Sequence, residues 1–168
     1  MADTITSDLD RPCGVGGPRR RPELSYGREV TERIPEPGEG KRFLAPETLA
    51  PPAGYSHVVE APAGLLLYIS GQVPLDRNGE LVGAGEIAAQ TRQVFENLTA
   101  ALAAAGGSWS DVVKLGYFLV DVAHLQTVRA IRDEYVDAER PPASTLVEVS
   151  RLFRDDVLIE VEAIAIKG

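Results

Sequence analysis

The sequence predicts an α+β domain in which two helices cover one face of a mixed β-sheet. Hydrophobic periodicity gives the order strand, strand, helix, strand, helix, strand, strand along the chain. Two helices are too few to cover both faces of such a sheet, so we expect both on the same face. The other face would then expose apolar side chains, and this exposure predicts an oligomer.

The N-terminal residues 1–42 differ in composition from the rest of the chain. They are rich in Pro, Gly, Arg and Glu and show neither helical nor strand periodicity. Such a segment buries too little apolar area to offset its ordering entropy, so we predict a flexible extension over 1–42 and a folded domain over 43–168. The alternative is a docking arm that covers a neighbouring subunit or the mouth of the site, anchored by Phe43 and Leu44.

The first half of the domain contains two predicted strands, a turn and a helix. Apolar runs at 57–61 and 65–71 are separated by Pro-Ala-Gly, a spacing that suggests a hairpin. The Asp-Arg-Asn-Gly sequence at 76–79 predicts a turn. Apolar side chains then recur every three or four residues over 86–105, which predicts a helix that ends at Gly106.

The second half contains a strand over 114–120, a helix over 123–138, and strands over 145–152 and 157–166. In the last strand, alternation places Glu160 and Glu162 on the face opposite Ile159 and Val161. An edge strand could leave both carboxylates in solvent. The alternative is a polar pocket where subunits meet, in which a partly desolvated carboxylate could act as a general acid/base or orient a water.

Composition and charge argue against several classes of partner. The net charge of −8 disfavours nucleic acid as a general partner. The single cysteine, Cys13, fits a reducing compartment, and the chain has neither a signal-peptide pattern nor an apolar run long enough to cross a membrane. We therefore expect a cytoplasmic protein without a membrane partner.

The sequence gives no sign of a cofactor. The two histidines, His57 and His124, lack metal-ligand spacing. Neither a Gly-rich phosphate-binding loop nor a G-x-S-x-G motif is present. We expect neither a metal ion nor an organic cofactor.

A series of short motifs extends over roughly 45–168. These motifs are AGYS at 53–56, SGQVP at 70–74, Gln90 and Asn97, DVVK at 111–114, FLVD at 118–121, PPAS at 141–144 and IEVEAIA at 159–165. In both order and spacing they resemble the RidA (YjgF, L-PSP) family. The resemblance implies a chorismate-mutase-like fold and a homotrimer with clefts between subunits. It also implies hydrolysis of enamines or imines without a cofactor.

The resemblance implies roles for individual residues. Glu162 would be the catalytic residue that positions the hydrolytic water, while Tyr55, Ser70 and Gly71 would line the cleft. The chain departs from the family at Ser144, where an arginine grips the substrate carboxylate, and at Leu146, where some members have cysteine. A serine offers one neutral donor and cannot replace a bidentate guanidinium. Ser144, Thr145 and Leu146 are nevertheless expected in the cleft.

Arg129 is a second departure, at a position where the family often has an asparagine near the cleft. It could be a solvated surface arginine. The alternative is that Arg129, or Arg140, binds an anionic substrate group in place of the missing arginine. Loss of a charge-assisted contact costs about 1.5–3 kcal/mol, so a replacement would matter for affinity.

Two functions from different classes follow from these features. The first is a hydrolase, deaminase-like, acting on a small carbonyl, imine or enamine metabolite with an altered substrate scope. Its standard 2-aminoacrylate deaminase activity would be weak or absent. The second is a non-catalytic metabolite-binding or chaperone-like trimer, which needs the fold and the cleft but no functioning Glu162.

Overall fold

A computed structural model describes residues 40–168. Within this part, the chain forms six strands, two α-helices and two short 3-10 helices at Trp109–Asp111 and Val122–His124. The helices are α1 (Ile87–Ala104) and α2 (Leu125–Arg132). The strands are β1 (Arg42–Leu44), β2 (Val58–Glu60), β3 (Leu65–Gln72), β4 (Val112–Leu119), β5 (Ala143–Glu148) and β6 (Ile159–Lys167).

The main sheet is mixed, as the sequence predicts. Its strand order is β3-β6-β4-β5, with β6 antiparallel to both neighbours and β4 parallel to β5. Strand β6 is therefore central, and the interpretation of Glu160 and Glu162 as residues of an edge strand is wrong. The sheet hydrogen bonds of β6 are satisfied on both sides, so its side chains project only to the two faces.

The predicted hairpin between the first two apolar runs is also wrong. Strand β2 pairs with β1 in a separate two-stranded sheet, whereas β3 pairs with β6. Gly64 directs the chain from one sheet to the other by passing against the end of β6. A Cβ at Gly64 would lie 2.5 Å from the carbonyl oxygen of Lys167, so only glycine fits this approach.

The core lies between the sheet and the helices. It joins one face of α1 and Val128 of α2 to the helix-facing side chains of β4 and β6. The alternation predicted for the last strand is confirmed, because Ile159, Val161 and Ala163 are at most 2% exposed. On the opposite face, Leu66 and Tyr68 are 46% and 77% exposed within one chain. We call this opposite face the open face of the sheet.

The end of α1 follows from its glycines. Gly106 adopts a positive φ of 68°, its N–H donates to Ala103, and the N–H of Gly107 donates to Leu102. This pair of bonds is a Schellman motif, and it ends the helix within one residue of the predicted position.

Helix α2 is shorter than the predicted 123–138. It begins with a 3-10 turn, and beyond Arg132 the backbone continues as a hydrogen-bonded turn to Val136. That turn still places Tyr135 and Val136 against the core. The periodicity therefore identified the buried side of this segment but not its backbone hydrogen bonding.

The predicted N-terminal extension lies almost entirely outside the described residues. Phe43 and Leu44, the proposed anchors, belong to β1 and pair with Val59 and Val58 of β2. In the part of the chain that the structure describes, neither helix has the length and apolar character needed to cross a bilayer.

Candidate functional site

Four of the candidate residues line one small cavity at the edge of the sheet. Tyr55, Arg129, Ser144 and Leu146 surround a space of about 70 Å³, which we call the arginine pocket. Its lining is completed by Ala53, Gly54, Tyr117, Leu125, Val128 and Arg132. Ser144 and Leu146 pair with Leu115 and Tyr117 of β4, so all four project to the helix-covered face.

Arg132 joins α2 to the loop that contains Tyr55. Its side chain is 8% exposed, donates from Nε and Nη2 to Oδ1 of Asp133 at 2.8 and 2.6 Å, and donates from Nη1 to the carbonyl oxygen of Gly54 at 2.7 Å. Asp133 therefore balances the charge of Arg132. The guanidinium holds the Gly54–Tyr55 loop at the pocket, and most of its donors are occupied.

Arg129 is the second guanidinium of the pocket. It is half-buried, and it makes no ion pair or side-chain hydrogen bond with any residue in 40–168. Arg140, by contrast, is 70% exposed, pairs with Asp137 at 2.9 Å, and borders a different cavity of about 800 Å³. Of the two arginines considered as replacements, only Arg129 lies beside Ser144.

Tyr117 contributes a buried hydroxyl that the sequence analysis missed. The residue is 4% exposed, and its Oη makes no hydrogen bond of ordinary geometry among the described residues, with the guanidinium of Arg132 acting on it only as a weak donor. Burial raises the pKa of this hydroxyl, although the nearby guanidinium of Arg132 acts in the opposite direction. The group is therefore a protonated donor at any physiological pH. The sequence did contain a signal for this residue, because it is a tyrosine inside the predicted buried strand KLGYFLV.

A second group of candidate residues lies on the open face of the sheet. Glu162 and Thr145 each pair with Gly116, one from either side, so their side chains share that face. A Cβ at Gly116 would lie 2.6 Å from Oε1 of Glu162, which shows that the carboxylate leans over β4. Lys114 donates from Nζ to Oγ1 of Thr145 at 2.6 Å. We call Glu162, Thr145 and their neighbours on this face the carboxylate row.

Ser70 and Gly71 belong to the carboxylate row through a β-bulge. The register between β3 and β6 shifts from the pair Ile69 and Ala163 to the pair Gln72 and Val161. Two residues, Ser70 and Gly71, therefore oppose Glu162 alone. Bulges of this kind re-aim side chains near functional sites. Gly71 is also required sterically, because a Cβ there would overlap the carboxylate of Glu160.

Asn97 and Gln90, two polar residues of α1 that belong to the family motifs, hold the backbone next to β3 and β6, the strands that contribute Ser70, Gly71 and Glu162 to the carboxylate row. Asn97 donates to the carbonyl oxygens of Val73 and Leu75, both at 2.9 Å, just after β3. Gln90 is fully buried, donates to the carbonyl oxygen of Asp156, and accepts the N–H of Leu158, both at 2.8 Å, just before β6. Through these bonds α1 fixes the backbone just after Gly71 and just before β6, the strand of Glu162.

The sheet separates the two groups within one chain. Gly116 and Tyr117 are consecutive in β4 and therefore face opposite sides, with the carboxylate row beside the first and the arginine pocket beside the second. The structure thus brings Tyr55, Arg129, Ser144 and Leu146 together on one side. It brings Ser70, Gly71, Thr145 and Glu162 together on the other.

The two groups contain carboxylate, hydroxyl and guanidinium side chains. Within residues 40–168, no cluster of three or more His, Cys, Asp or Glu side chains is arranged to hold a metal ion.

Arg132 was also missed by the sequence analysis. The available signal was its position four residues after Val128, which places a charged side chain on the apolar side of α2.

Comparison with known proteins identifies the family. Residues 45–167 match the family model described as Endoribonuclease L-PSP. A RutC family protein of Pyrococcus horikoshii is 46% identical over 124 residues, which are 73% of this chain and 92% of that protein. The 3-aminoacrylate deaminase RutC of Acinetobacter baylyi is 38% identical over 125 residues, covering 74% of this chain and 97% of the relative.

A solved structure shares the fold. The Rid family protein of unknown function from Yersinia pestis superimposes with a TM-score of 0.68 at 37% identity, over 77% of this chain and all of that chain. The description of the matched family includes an endoribonuclease, so the comparisons do not support our expectation that nucleic acid is not a partner. The chain has the α+β fold of these proteins and belongs to the RidA/YjgF/L-PSP family.

Proposed function

We propose that this protein is a deaminase-like hydrolase of a small imine, enamine or related carbonyl metabolite, and that its substrate scope differs from that of arginine-bearing relatives. A relative of 38% identity is named as a deaminase of 3-aminoacrylate, which is an enamine. The protein would act without a cofactor, as a homotrimer with its sites between subunits.

One observation carries the proposal about substrate scope. Arg129 lines the same pocket as Ser144 and has no ion pair with any described residue. A guanidinium from α2 would therefore hold the anionic group that an arginine at position 144 would otherwise hold. A guanidinium on α2 approaches the cleft from a different direction than one at position 144 on β5. The substrate would therefore bind in a different orientation, and the cleft would accept substrates of a different size and shape.

The separation of the two groups supports a site shared between copies. The arginine pocket and the carboxylate row lie on opposite faces of the sheet, and the open face exposes Leu66 and Tyr68. If the open face of one copy packs beside the arginine pocket of another, one ligand can touch both groups. Closed symmetry would then give each oligomer several equivalent sites.

Glu162 would orient and activate the water in this arrangement. In hydrolysis of an imine, the water oxygen bonds to the imine carbon and the carboxylate takes one of its protons. The carboxylate returns that proton to nitrogen, which gives a carbinolamine. The carboxylate then carries the proton of the new hydroxyl to the same nitrogen, the C–N bond breaks, ammonia leaves, and a carbonyl remains. Tyr55 and the bulged backbone at Ser70 and Gly71 would line the cleft, and Thr145 would border it from β5.

The test is acceleration of imine hydrolysis. Imines of short 2-oxo acids are generated in solution by an amino acid oxidase, and ammonia release is compared with the spontaneous rate. We expect acceleration by the wild-type protein and a loss of about 100-fold or more in Glu162→Gln, because a positioned acid/base contributes on that order. An active Glu162→Gln variant would overturn the assignment of the catalytic residue.

Arg129→Ala separates anchoring from chemistry. We expect weaker binding of short 2-oxo acids by about 10- to 100-fold, the effect of removing a charge-assisted contact. Unchanged affinity would overturn the proposed role of Arg129. We also expect 2-aminoacrylate deamination well below that of an arginine-bearing relative, and an equal rate would overturn the altered scope.

A non-catalytic binding protein is the second candidate. The observation that favours it is Ser144, because the pocket keeps cations and apolar walls but lacks the residue to which the family chemistry is tied. Ligand binding without turnover, equally strong in wild type and Glu162→Gln, would select this alternative. A chaperone-like trimer would show neither saturable metabolite binding nor turnover.

A further inference from the structure

We propose that Tyr117 is a ligand-binding residue, whose hydroxyl donates a hydrogen bond to the carboxylate that Arg129 binds in the arginine pocket. This inference deepens the proposed function and rests on it for the identity of the site. It adds a donor that lies on β4, and it assigns the pocket to a small monocarboxylate.

The first observation is the unsatisfied hydroxyl. Tyr117 is 4% exposed, and its Oη makes no hydrogen bond of ordinary geometry in the part of the chain described here, although the guanidinium of Arg132 lies close enough to act on it as a weak donor. Buried polar groups are nearly always paired, and because Arg132 can only donate, the proton of this hydroxyl remains available to an acceptor outside the chain. The cavity beside it, of about 70 Å³, has room for a carboxylate group.

The second observation is the location of the hydroxyl among charges. The groups that act on its pKa, besides its burial, are Arg132, Asp133 and Arg129, and both arginines line the pocket. The hydroxyl end of Tyr117 therefore lies at the cationic side of the cavity. Burial keeps that hydroxyl protonated, and a protonated hydroxyl donates to an anion.

Arg132 is largely engaged within the chain, so Tyr117 and Arg129 are the main donors left for a ligand. Arg132 spends Nε, Nη1 and Nη2 on Asp133 and on the carbonyl oxygen of Gly54. Its role is to position the Gly54–Tyr55 loop. Three of the five N–H groups of Arg132 are thus engaged. Arg129 has no such partner in the described residues, so its guanidinium and the proton of the Tyr117 hydroxyl are the least engaged donors on this side of the pocket.

The charge and the walls of the pocket define the class of ligand. Two guanidiniums and the carboxylate of Asp133 leave one net positive charge, which matches a monoanion better than a dianionic phosphate. Leu125, Val128 and Leu146 supply apolar walls suited to a short aliphatic chain. We therefore assign the pocket to a small monocarboxylate, such as a short 2-oxo acid.

The test removes one oxygen atom. Tyr117→Phe keeps the ring in the core and deletes only Oη. Binding of 2-oxobutanoate and of inorganic phosphate to the full-length protein is measured by calorimetry, together with the thermal unfolding midpoint. We expect the variant to be at least as stable as wild type without ligand, because an unpaired buried hydroxyl is lost. We expect its affinity for 2-oxobutanoate to fall about 10-fold or more, since hydrogen bonds to charged groups are the strong ones.

Matched variants distinguish a binding role from a packing role. Tyr135→Phe removes a hydroxyl from a tyrosine that packs on the core outside the arginine pocket, and we expect it to leave affinity unchanged. A double variant of Tyr117→Phe with Arg129→Ala should lose less than the sum of the single losses if both groups hold one carboxylate. Strict additivity would contradict a shared carboxylate.

The outcomes separate this inference from the proposed function. Unchanged affinity in Tyr117→Phe would overturn the role of Tyr117 while leaving hydrolysis intact. Weakened affinity without any imine hydrolysis by wild type would keep the role of Tyr117 and overturn the hydrolase. Tighter binding of phosphate than of 2-oxobutanoate, or no binding of either by wild type, would overturn the monocarboxylate assignment.

Discussion

The carboxylate of Glu162 leans over the backbone of Gly116 on the neighbouring strand. The two residues are direct partners in the antiparallel pair of β6 and β4, and a Cβ on Gly116 would lie 2.6 Å from Oε1 and 2.8 Å from Cγ of Glu162. The glycine therefore creates the space in which the carboxylate lies. The position of Glu162 depends on β4 as much as on β6.

Gly116→Ala should displace this carboxylate. The added Cβ occupies the space of Oε1, and a catalytic group moved by about 1 Å can lose on the order of 100-fold in rate. We expect kcat to fall by roughly 10- to 100-fold while 2-oxobutanoate binding to the arginine pocket changes little. Steady-state kinetics and calorimetry measure the two quantities.

Two controls accompany that variant. Gly40→Ala adds a Cβ where no atom lies within 4 Å, and it should leave kcat unchanged. Gly116→Ala in a Glu162→Gln background should cause little further loss, because the displaced group is already inactive. A normal kcat in Gly116→Ala would contradict the link between Gly116 and Glu162.

Asn97→Ala should lower stability through the loop that follows β3. The amide of Asn97 serves two carbonyl oxygens, those of Val73 and Leu75, and the substitution leaves both without this donor. We expect a loss of about 1–3 kcal/mol in the free energy of unfolding. Urea titration measures it, with Gln126→Ala, at an exposed position of α2, as the control expected to change stability by less than about 0.5 kcal/mol.

The buried hydroxyl of Tyr117 should make stability depend on alkaline pH. Because burial raises its pKa above the ordinary value of 10.0, the folded chain keeps this proton at pH values where the unfolded chain releases it. Stability contributed by the protonated form is therefore complete below about pH 10 and falls as pH rises above it.

Tyr117→Phe removes this titration. Between about pH 10 and 11, the wild type should lose roughly 1 kcal/mol more than the variant, because the hydroxyl of the unfolded chain goes from about half to about nine-tenths ionised over this range. Urea unfolding over this range measures the two slopes. Parallel slopes for the two proteins would contradict the raised pKa.

The open face should form the contact between copies. Tyr68 is 77% exposed in the single chain and lies on this face next to Leu66. We expect wild type to sediment as a trimer and Tyr68→Glu to dissociate it, because the substitution places a charge in an apolar contact. Leu49→Glu, at an exposed loop position, is the control. A monomeric wild type would refute the prediction.

Local periodicity predicted much of this fold, whereas long-range pairing was harder to predict. The 3.6-residue repeat located α1, and alternation in β6 separated Ile159 and Val161 from Glu160 and Glu162. The hairpin failed because the partner of β3 is β6, which is about a hundred residues away in sequence. Nothing local to 65–71 encodes that pairing.

The same limit applies to the site. The family motifs identified residues of both the arginine pocket and the carboxylate row. Only the strand register shows that the two groups lie on opposite faces of the sheet, the carboxylate row beside Gly116 and the arginine pocket beside Tyr117. Arg132 was missed because the carbonyl that it binds, that of Gly54, is 78 positions earlier in the chain. Its role could not be read from the charge pattern of α2.

The central claim is that a complete site needs the arginine pocket of one copy and the carboxylate row of another. It is tested most directly by co-expressing Glu162→Gln and Arg129→Ala subunits and measuring imine hydrolysis by the mixed oligomers. At substrate concentrations below the KM of wild type, each variant alone should be nearly inactive, while random mixing should restore about a quarter of the wild-type activity, since that fraction of shared sites receives both intact halves. Activity of the mixture no greater than that of the separate variants would contradict the account.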